Sequence, residues 1–223
     1  MGTFVRMATE VVIFDCDGVL VDSEVIAIEV EAELLTAAGF ALTVDDIADR
    51  FVGLSYRDMM AELASEFGRP VPDELDGRIQ SETLASFPDR LRAVVGVEAL
   101  LEQMQLARCV ASSSDLDRIR LSLAVTALDR FFEADDLFSA QMVDNGKPAP
   151  DLFLHAAAKL GVDPRSCLVI EDSPHGVQAA RRAEMPVIGF LGGGHARPSL
   201  HDRLVAAGAD HIANHPQQIL DHL

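Results

Sequence analysis

Two carboxylates, Asp15 and Asp17, sit where a chain seldom puts charge. They follow four apolar residues, Val11-Val12-Ile13-Phe14, and Gly18 comes directly behind them. Four apolar residues in a row read as a fully buried strand. Charges that close to a dry interior need a cation, a donor or a solvent-filled cleft. Gly18 marks the end of the strand, and in open parallel sheets ligands bind just outside the carboxyl ends of strands. An aspartate there can act as a nucleophile. A second one, two residues on, can act as acid and then as base.

Other apolar runs end in polar groups of matching type. Ser112-Ser113-Ser114 follows Arg108-Cys109-Val110-Ala111, and Glu171-Asp172 follows Cys167-Leu168-Val169-Ile170. Lys147, one of only two lysines against sixteen arginines, stands between Gly146 and Pro148. If the strands are parallel, these ends share one edge and one cleft. Crowded carboxylates repel and would hold protons without a cation. A hard divalent ion resolves this: Mg²⁺ prefers oxygen, takes one or two carboxylates, and keeps waters and a phosphate oxygen. No Cys/His cluster suits a soft metal. The residues therefore predict a Mg²⁺ site that accepts a phosphate, with Ser112, Ser113 and Lys147 as phosphate-binding groups. Asp15 is the predicted nucleophile, forming an aspartyl-phosphate. Asp17 is the predicted acid/base, protonating the leaving alkoxide and then taking a proton from water.

The elements that must position these groups follow from periodicity. Ser23, as N-cap, opens a helix to Ala38. Further helices are predicted over 43–51, 55–67 and 73–87, with Pro88 ending the last. No strand is expected from 23 to 88, and four short helices read as a bundle. From 94 onward strand and helix alternate, which means crossover units on a parallel sheet. Strands are expected at 108–111, 137–139, 167–170, 186–190 and 211–213. Helices are expected at 98–105, 115–127, 150–160, 174–183 and 199–207. The predicted fold is α/β: a Rossmann-like parallel sheet core at 1–22 and 89–223, interrupted by an all-helical module at 23–88.

The chain has 223 residues, 49% of them hydrophobic and 24% charged, enough for a substantial core. A net charge of −18 disfavours nucleic acid and other polyanions. The leading apolar run is too short for a signal peptide, and no run approaches a membrane span. Cys16, Cys109 and Cys167 lie in or beside predicted strands without disulfide or metal spacing, as expected of a reduced, cytoplasmic protein. No partner is expected beyond a small phosphorylated substrate, with the chain a monomer or weak dimer.

The motifs also carry a resemblance. Asp15-Cys16-Asp17-Gly18, Ser112 after a strand, Gly146-Lys147-Pro148 and Val169-Ile170-Glu171-Asp172-Ser173-Pro174 occur in the order of the four motifs of haloacid-dehalogenase-like hydrolases. The chain resembles that family's helical-cap (C1) subgroup. The resemblance implies Mg²⁺ held by Asp15, the main-chain carbonyl of Asp17, and Asp172, with Glu171 a ligand or a neighbour of one. It implies that 23–88 is a mobile cap. Within it, Arg50-Phe51-Val52-Gly53-Leu54-Ser55-Tyr56-Arg57 is similar to the family's substrate-reading loop. Arg50 or Arg57 would there grip an anionic or hydroxyl group. Asp22-Ser23-Glu24 and Arg50-Phe51-Val52-Gly53 resemble the 6-phosphogluconate phosphatases. β-Phosphoglucomutases share the motifs but carry a cap-hinge histidine where this chain has Ala27, so hydrolysis is preferred to mutase activity. A dehalogenase would lack Asp17. A signalling receiver would lack the helical insert. Gly192-Gly193-Gly194-His195 is read as a flexible turn, and His175 as an exposed or capping residue.

Overall fold

The computed structural model describes residues 8–51 and 56–223, without the side chains of 56 and 57. Strand β1 (Val11–Phe14) is followed by four helices: α1 (Ser23–Ala37), α2 (Val44–Arg50), α3 (Tyr56–Phe67) and α4 (Glu74–Arg90). The alternating part runs α5 (Val97–Gln103), β2 (Ala107–Ser112), α6 (Leu116–Val125), β3 (Leu137–Ser139), α7 (Asp151–Leu160) and β4 (Cys167–Glu171). It closes with α8 (Pro174–Arg182), β5 (Val187–Phe190), α9 (Pro198–Ala207) and β6 (His211–Ala213).

The six strands form one parallel sheet in the order β3-β2-β1-β4-β5-β6. β1 lies between β2 and β4, with Phe14 level with Val110 on one side and Ile170 on the other. From β1 the chain builds outward to β3, then returns and builds the other way from β4. That reversal makes the carboxyl end of β1 the switch point of the sheet, where a crevice opens.

Why β1 is apolar at every position is now plain. Period-two alternation sends Val12, Phe14 and Cys16 to one face and Val11 and Ile13 to the other, and both faces are covered. The Val12 face packs under α1–α6; the Val11 face packs under α7, α8 and α9. Each fully buried side chain of this size contributes about 1.5–3 kcal/mol. The cluster on the Val12 face continues unbroken into α1–α4 through Ile26, Leu35, Phe40, Leu63 and Phe87, so these helices share a core with the sheet.

Two predicted boundaries differ for physical reasons. The cap residue of α1 is Asp22, and Ser23 is its first helical residue, its hydroxyl turned to Asp17. Helix α4 continues through Pro88 to Arg90. A proline there forfeits only the bond to the carbonyl of the exposed Leu84, a small loss one turn from the helix end. No helix among the described residues is long and apolar enough to cross a membrane.

Candidate active site

A cleft of about 420 Å³ opens at the carboxyl edge of the sheet. Asp15, Asp17, Ser112, Ser113, Lys147, Glu171 and Asp172 all line it. Adjacent β1, β2 and β4 thus bring together groups up to 157 residues apart in sequence.

Lys147 ties three strand ends together. Its Nζ donates to Asp15 Oδ1 at 2.6 Å, to the Ala111 carbonyl at 3.0 Å and to Glu171 Oε1 at 2.7 Å. An ammonium has three donors, and all three are engaged. Burial alone would lower the Lys147 pKa, but Asp15 and Glu171 outweigh it and hold it above the ordinary lysine value. Burial pushes Asp15 well above the usual carboxylate range. Lys147 pulls the other way, while Glu171, Asp172 and Asp17 add to the rise.

Asp17 faces a different set. Oδ1 accepts from Ser23 Oγ at 2.5 Å and from Arg118 Nη2 at 3.0 Å; Oδ2 accepts from Ser114 Oγ at 2.6 Å, with Ser112 Oγ farther off at 3.5 Å. Burial opposes the charged form, yet Arg118 and the two closer hydroxyls win and hold the carboxyl below its ordinary value. Arg118, on the first turn of α6, also lies against the Phe87 ring of α4, at 5.1 Å from its centroid. Arg118, Ser114 and the Ser23 hydroxyl were not singled out from sequence. A signal existed: Arg118 lies in the first turn of a helix that starts beside a strand end, and helical side chains tilt toward the helix N-terminus.

Glu171 is engaged on both oxygens. Oε1 takes Lys147, and Oε2 accepts the Ser173 N–H and hydroxyl, each at 2.9 Å. Its two oxygens thus tie Lys147 to the turn into α8. Asp172 instead presents Oδ2 to His195 Nε2 at 3.1 Å. Gly18 makes this approach possible. Its φ is +75°, and a Cβ there would stand 1.8 Å from Asp172 Oδ2.

Arg50 is not brought into the cleft. Its guanidinium pairs with Glu62 at 3.0 Å and Glu66 at 2.5 Å, both on α3. The sequence alone could not show that α3 offers two carboxylates to it. Arg57's side chain lies outside the described residues. His175 is exposed at the cleft rim. Cys16 is a buried small residue whose thiol is pushed well up by burial, then by Asp17 and Asp15, which suits packing and not attack.

The donor set fits Mg²⁺. Asp15 and Asp172, with the main-chain carbonyl of Asp17, are hard oxygen donors. The carboxylates of Asp15, Asp17, Glu171 and Asp172 crowd one cleft beside Lys147 and Arg118, and their mutual repulsion adds to the rise of Asp15, so a hard cation would meet concentrated negative charge there. Among the described residues no three His, Cys, Asp or Glu side chains form a metal cage. Mg²⁺ does not ask for one, since it keeps several waters.

Residues 12–190 match the family model of the haloacid dehalogenase-like hydrolases. The chain belongs to that family. It is 30% identical to the 6-phosphogluconate phosphatase of Escherichia coli, over 87% of this chain and 88% of that one. It is 31% identical to hexitol phosphatase B of the same organism, over 78% and 79%. Among solved structures it is similar to a conserved haloacid dehalogenase-like protein of unknown function from Agrobacterium tumefaciens, with TM-score 0.91, 37% identity, and 96% and 97% of the two chains covered. The family supplies the Rossmann-like α/β fold observed here, and this hydrolase is one of its phosphoric monoester hydrolases.

Proposed function

We propose that this hydrolase is a Mg²⁺-dependent phosphatase acting on a small phosphorylated metabolite, a sugar phosphate or a phospho-sugar acid such as 6-phosphogluconate, through an aspartyl-phosphate on Asp15. The observation that carries the reading is Asp15 itself. It stands at the switch point of the sheet with one oxygen held by Lys147, while Asp17, on separate hydrogen bonds, faces the same cleft. The cleft volume suits a small ligand. The substrate class rests on the named relatives above.

In the first step the free oxygen of Asp15 attacks phosphorus. The bond from phosphorus to the leaving oxygen breaks, and Asp17 gives that oxygen a proton. In the second, water attacks the phosphorylated Asp15, Asp17 takes the water proton, the bond to Asp15 breaks, and inorganic phosphate leaves. Ser23, Ser114 and Arg118 favour ionised Asp17, so they serve the second step and oppose the first, for which Asp17 must take up a proton as the phosphate monoester binds beside it. Lys147 keeps Asp15 aimed and places positive charge beside the phosphoryl oxygens. Ser112 and Ser113 offer hydroxyls to the same group. Bound Mg²⁺, on Asp15, Asp172 and the Asp17 carbonyl, would neutralise developing charge on the phosphoryl group. Residues 23–88 act as a cap over the core of 1–22 and 89–223; Glu24 lines the cleft, Ser23 bonds Asp17, and Phe87 backs Arg118.

The test is phosphate release from a panel of sugar phosphates, polyol phosphates and phospho-sugar acids, with Mg²⁺ and with EDTA. Release is expected only with the metal, and Asp15→Asn is expected to abolish it. Undiminished turnover by Asp15→Asn, or in EDTA, would refute the mechanism.

A further inference from the structure

The loop after β5, Gly192-Gly193-Gly194-His195, takes no part in the chemistry above, and its composition reads as slack. The structure shows the reverse. The Gly194 N–H donates to Asp22 Oδ1 at 2.8 Å. A Cβ on Gly193 would stand 2.6 Å from the Gly18 carbonyl and 2.8 Å from His195 Nδ1, so the loop lies backbone to backbone on the turn that carries Asp17. His195 is 3% exposed, a burial unusual for a loop histidine. Its Nε2 meets Asp172 Oδ2 at 3.1 Å, and its Cε1 would be 2.8 Å from a Cβ on Gly18. Among the described residues His195 is the side-chain partner of the Asp172 carboxylate.

We propose that His195 is a positioning residue for the metal site. Through Nε2 it fixes the rotamer of Asp172, and the glycine loop exists to bring the imidazole that deep. A carboxylate that rests one oxygen on a fixed donor has lost its freedom to rotate before the ion arrives. It therefore binds the ion without the ordering cost a free side chain would incur. Asp172 enters straight from the end of β4 and has no neighbour of its own strand to steady it, because Glu171 is turned to Lys147 and Ser173. The steadying group must come from across the cleft, and the β5 loop delivers it. The inference rests on the proposed Mg²⁺ site.

The test is calorimetric titration of Mg²⁺ into wild type, His195→Ala and His195→Gln, with thermal unfolding in EDTA alongside. Loss of a hydrogen-bonding neighbour of a metal ligand costs about ten- to a hundredfold in affinity, and that loss is expected for His195→Ala. Glutamine carries an amide N–H near the position of Nε2, so His195→Gln is expected to regain most of it. Activity of His195→Ala is expected to recover when Mg²⁺ is raised in proportion. A folded His195→Ala that binds Mg²⁺ as tightly as wild type would overturn the proposal. So would a glutamine variant no better than alanine. Should the alanine variant fail to fold, His195→Asn tests the same point: its shorter side chain keeps a polar group in the loop but stops short of Asp172, and unchanged Mg²⁺ affinity would again count against the proposal. A wild-type enzyme that takes up no Mg²⁺ would instead overturn the reading beneath it.

Discussion

Glu171→Gln separates two roles that the sequence leaves joined. If Glu171 had no partners of its own in the apo protein, its charge would only add to the crowding that raises Asp15, and neutralising it would raise stability. The structure implies the opposite sign. Oε1 holds Lys147 at 2.7 Å and Oε2 holds both donors of Ser173 at 2.9 Å. A glutamine has the same shape but only one acceptor oxygen. Whichever way the amide turns, its NH₂ faces a donor, either the ammonium or the Ser173 turn. One charge-assisted bond is lost, at about 1.5–3 kcal/mol. For a chain of this length each kcal/mol moves Tm by about 2–4 °C, so the apo variant is expected to melt about 3–12 °C lower. Where the NH₂ faces the ammonium, Lys147 rests on Asp15 and the Ala111 carbonyl alone. If the same energy is lost from the transition state, kcat/KM falls about ten- to a hundredfold. The assay is thermal unfolding in EDTA, followed by steady-state kinetics at saturating Mg²⁺. An apo Tm equal to or above wild type would refute the assignment of Glu171 to Lys147 and Ser173.

Two further tests address partnerships and burial that only the fold reveals. Arg118→Met removes the ion pair that favours ionised Asp17, so the second step is expected to slow at least about tenfold, seen as build-up of the phosphorylated enzyme and a lower kcat, while the methionine preserves apolar contact with Phe87. Arg118→Lys restores the charge without the planar fork and is expected to recover only part of it; equal kcat for wild type and Arg118→Met would show the ion pair to be idle. Glu24, on α1 with part of its surface open to the cleft, is pushed up to about 7 by burial and then by Asp17, and Glu31 to about 7 by burial and then by Glu24. A carboxyl whose folded value is raised stabilises the fold below its unfolded value and loses that contribution as pH rises through the folded one. In EDTA, Glu24→Gln is therefore expected to melt above wild type at pH 8 and to lose that advantage at pH 5; a pH-independent difference would contradict the burial of this carboxyl.

Much of this protein was legible locally. A buried strand that runs straight into two acids is a statement about neighbours in sequence, so Asp15 and Asp17 announce themselves before any fold is known. The same holds for the apolar run before Glu171-Asp172, and for the period change from helix-only to alternating elements near residue 94. Local propensity and burial pattern act over a turn or a strand, and their reach ends there. Which acid faces which cation is set by approach between elements. The β3-β2-β1-β4-β5-β6 order brings Lys147 between Asp15 and Glu171. Helix α6 carries Arg118 to Asp17, and the β5 loop carries His195 to Asp172. Arg50 is claimed by the two glutamates of α3, which no spacing along the chain disclosed. Which side chains stand at strand ends with chemistry to offer follows from the order of residues alone. How their charges are shared follows from folding, because electrostatic partnership depends on distance in space, and distance is a property of the packed sheet.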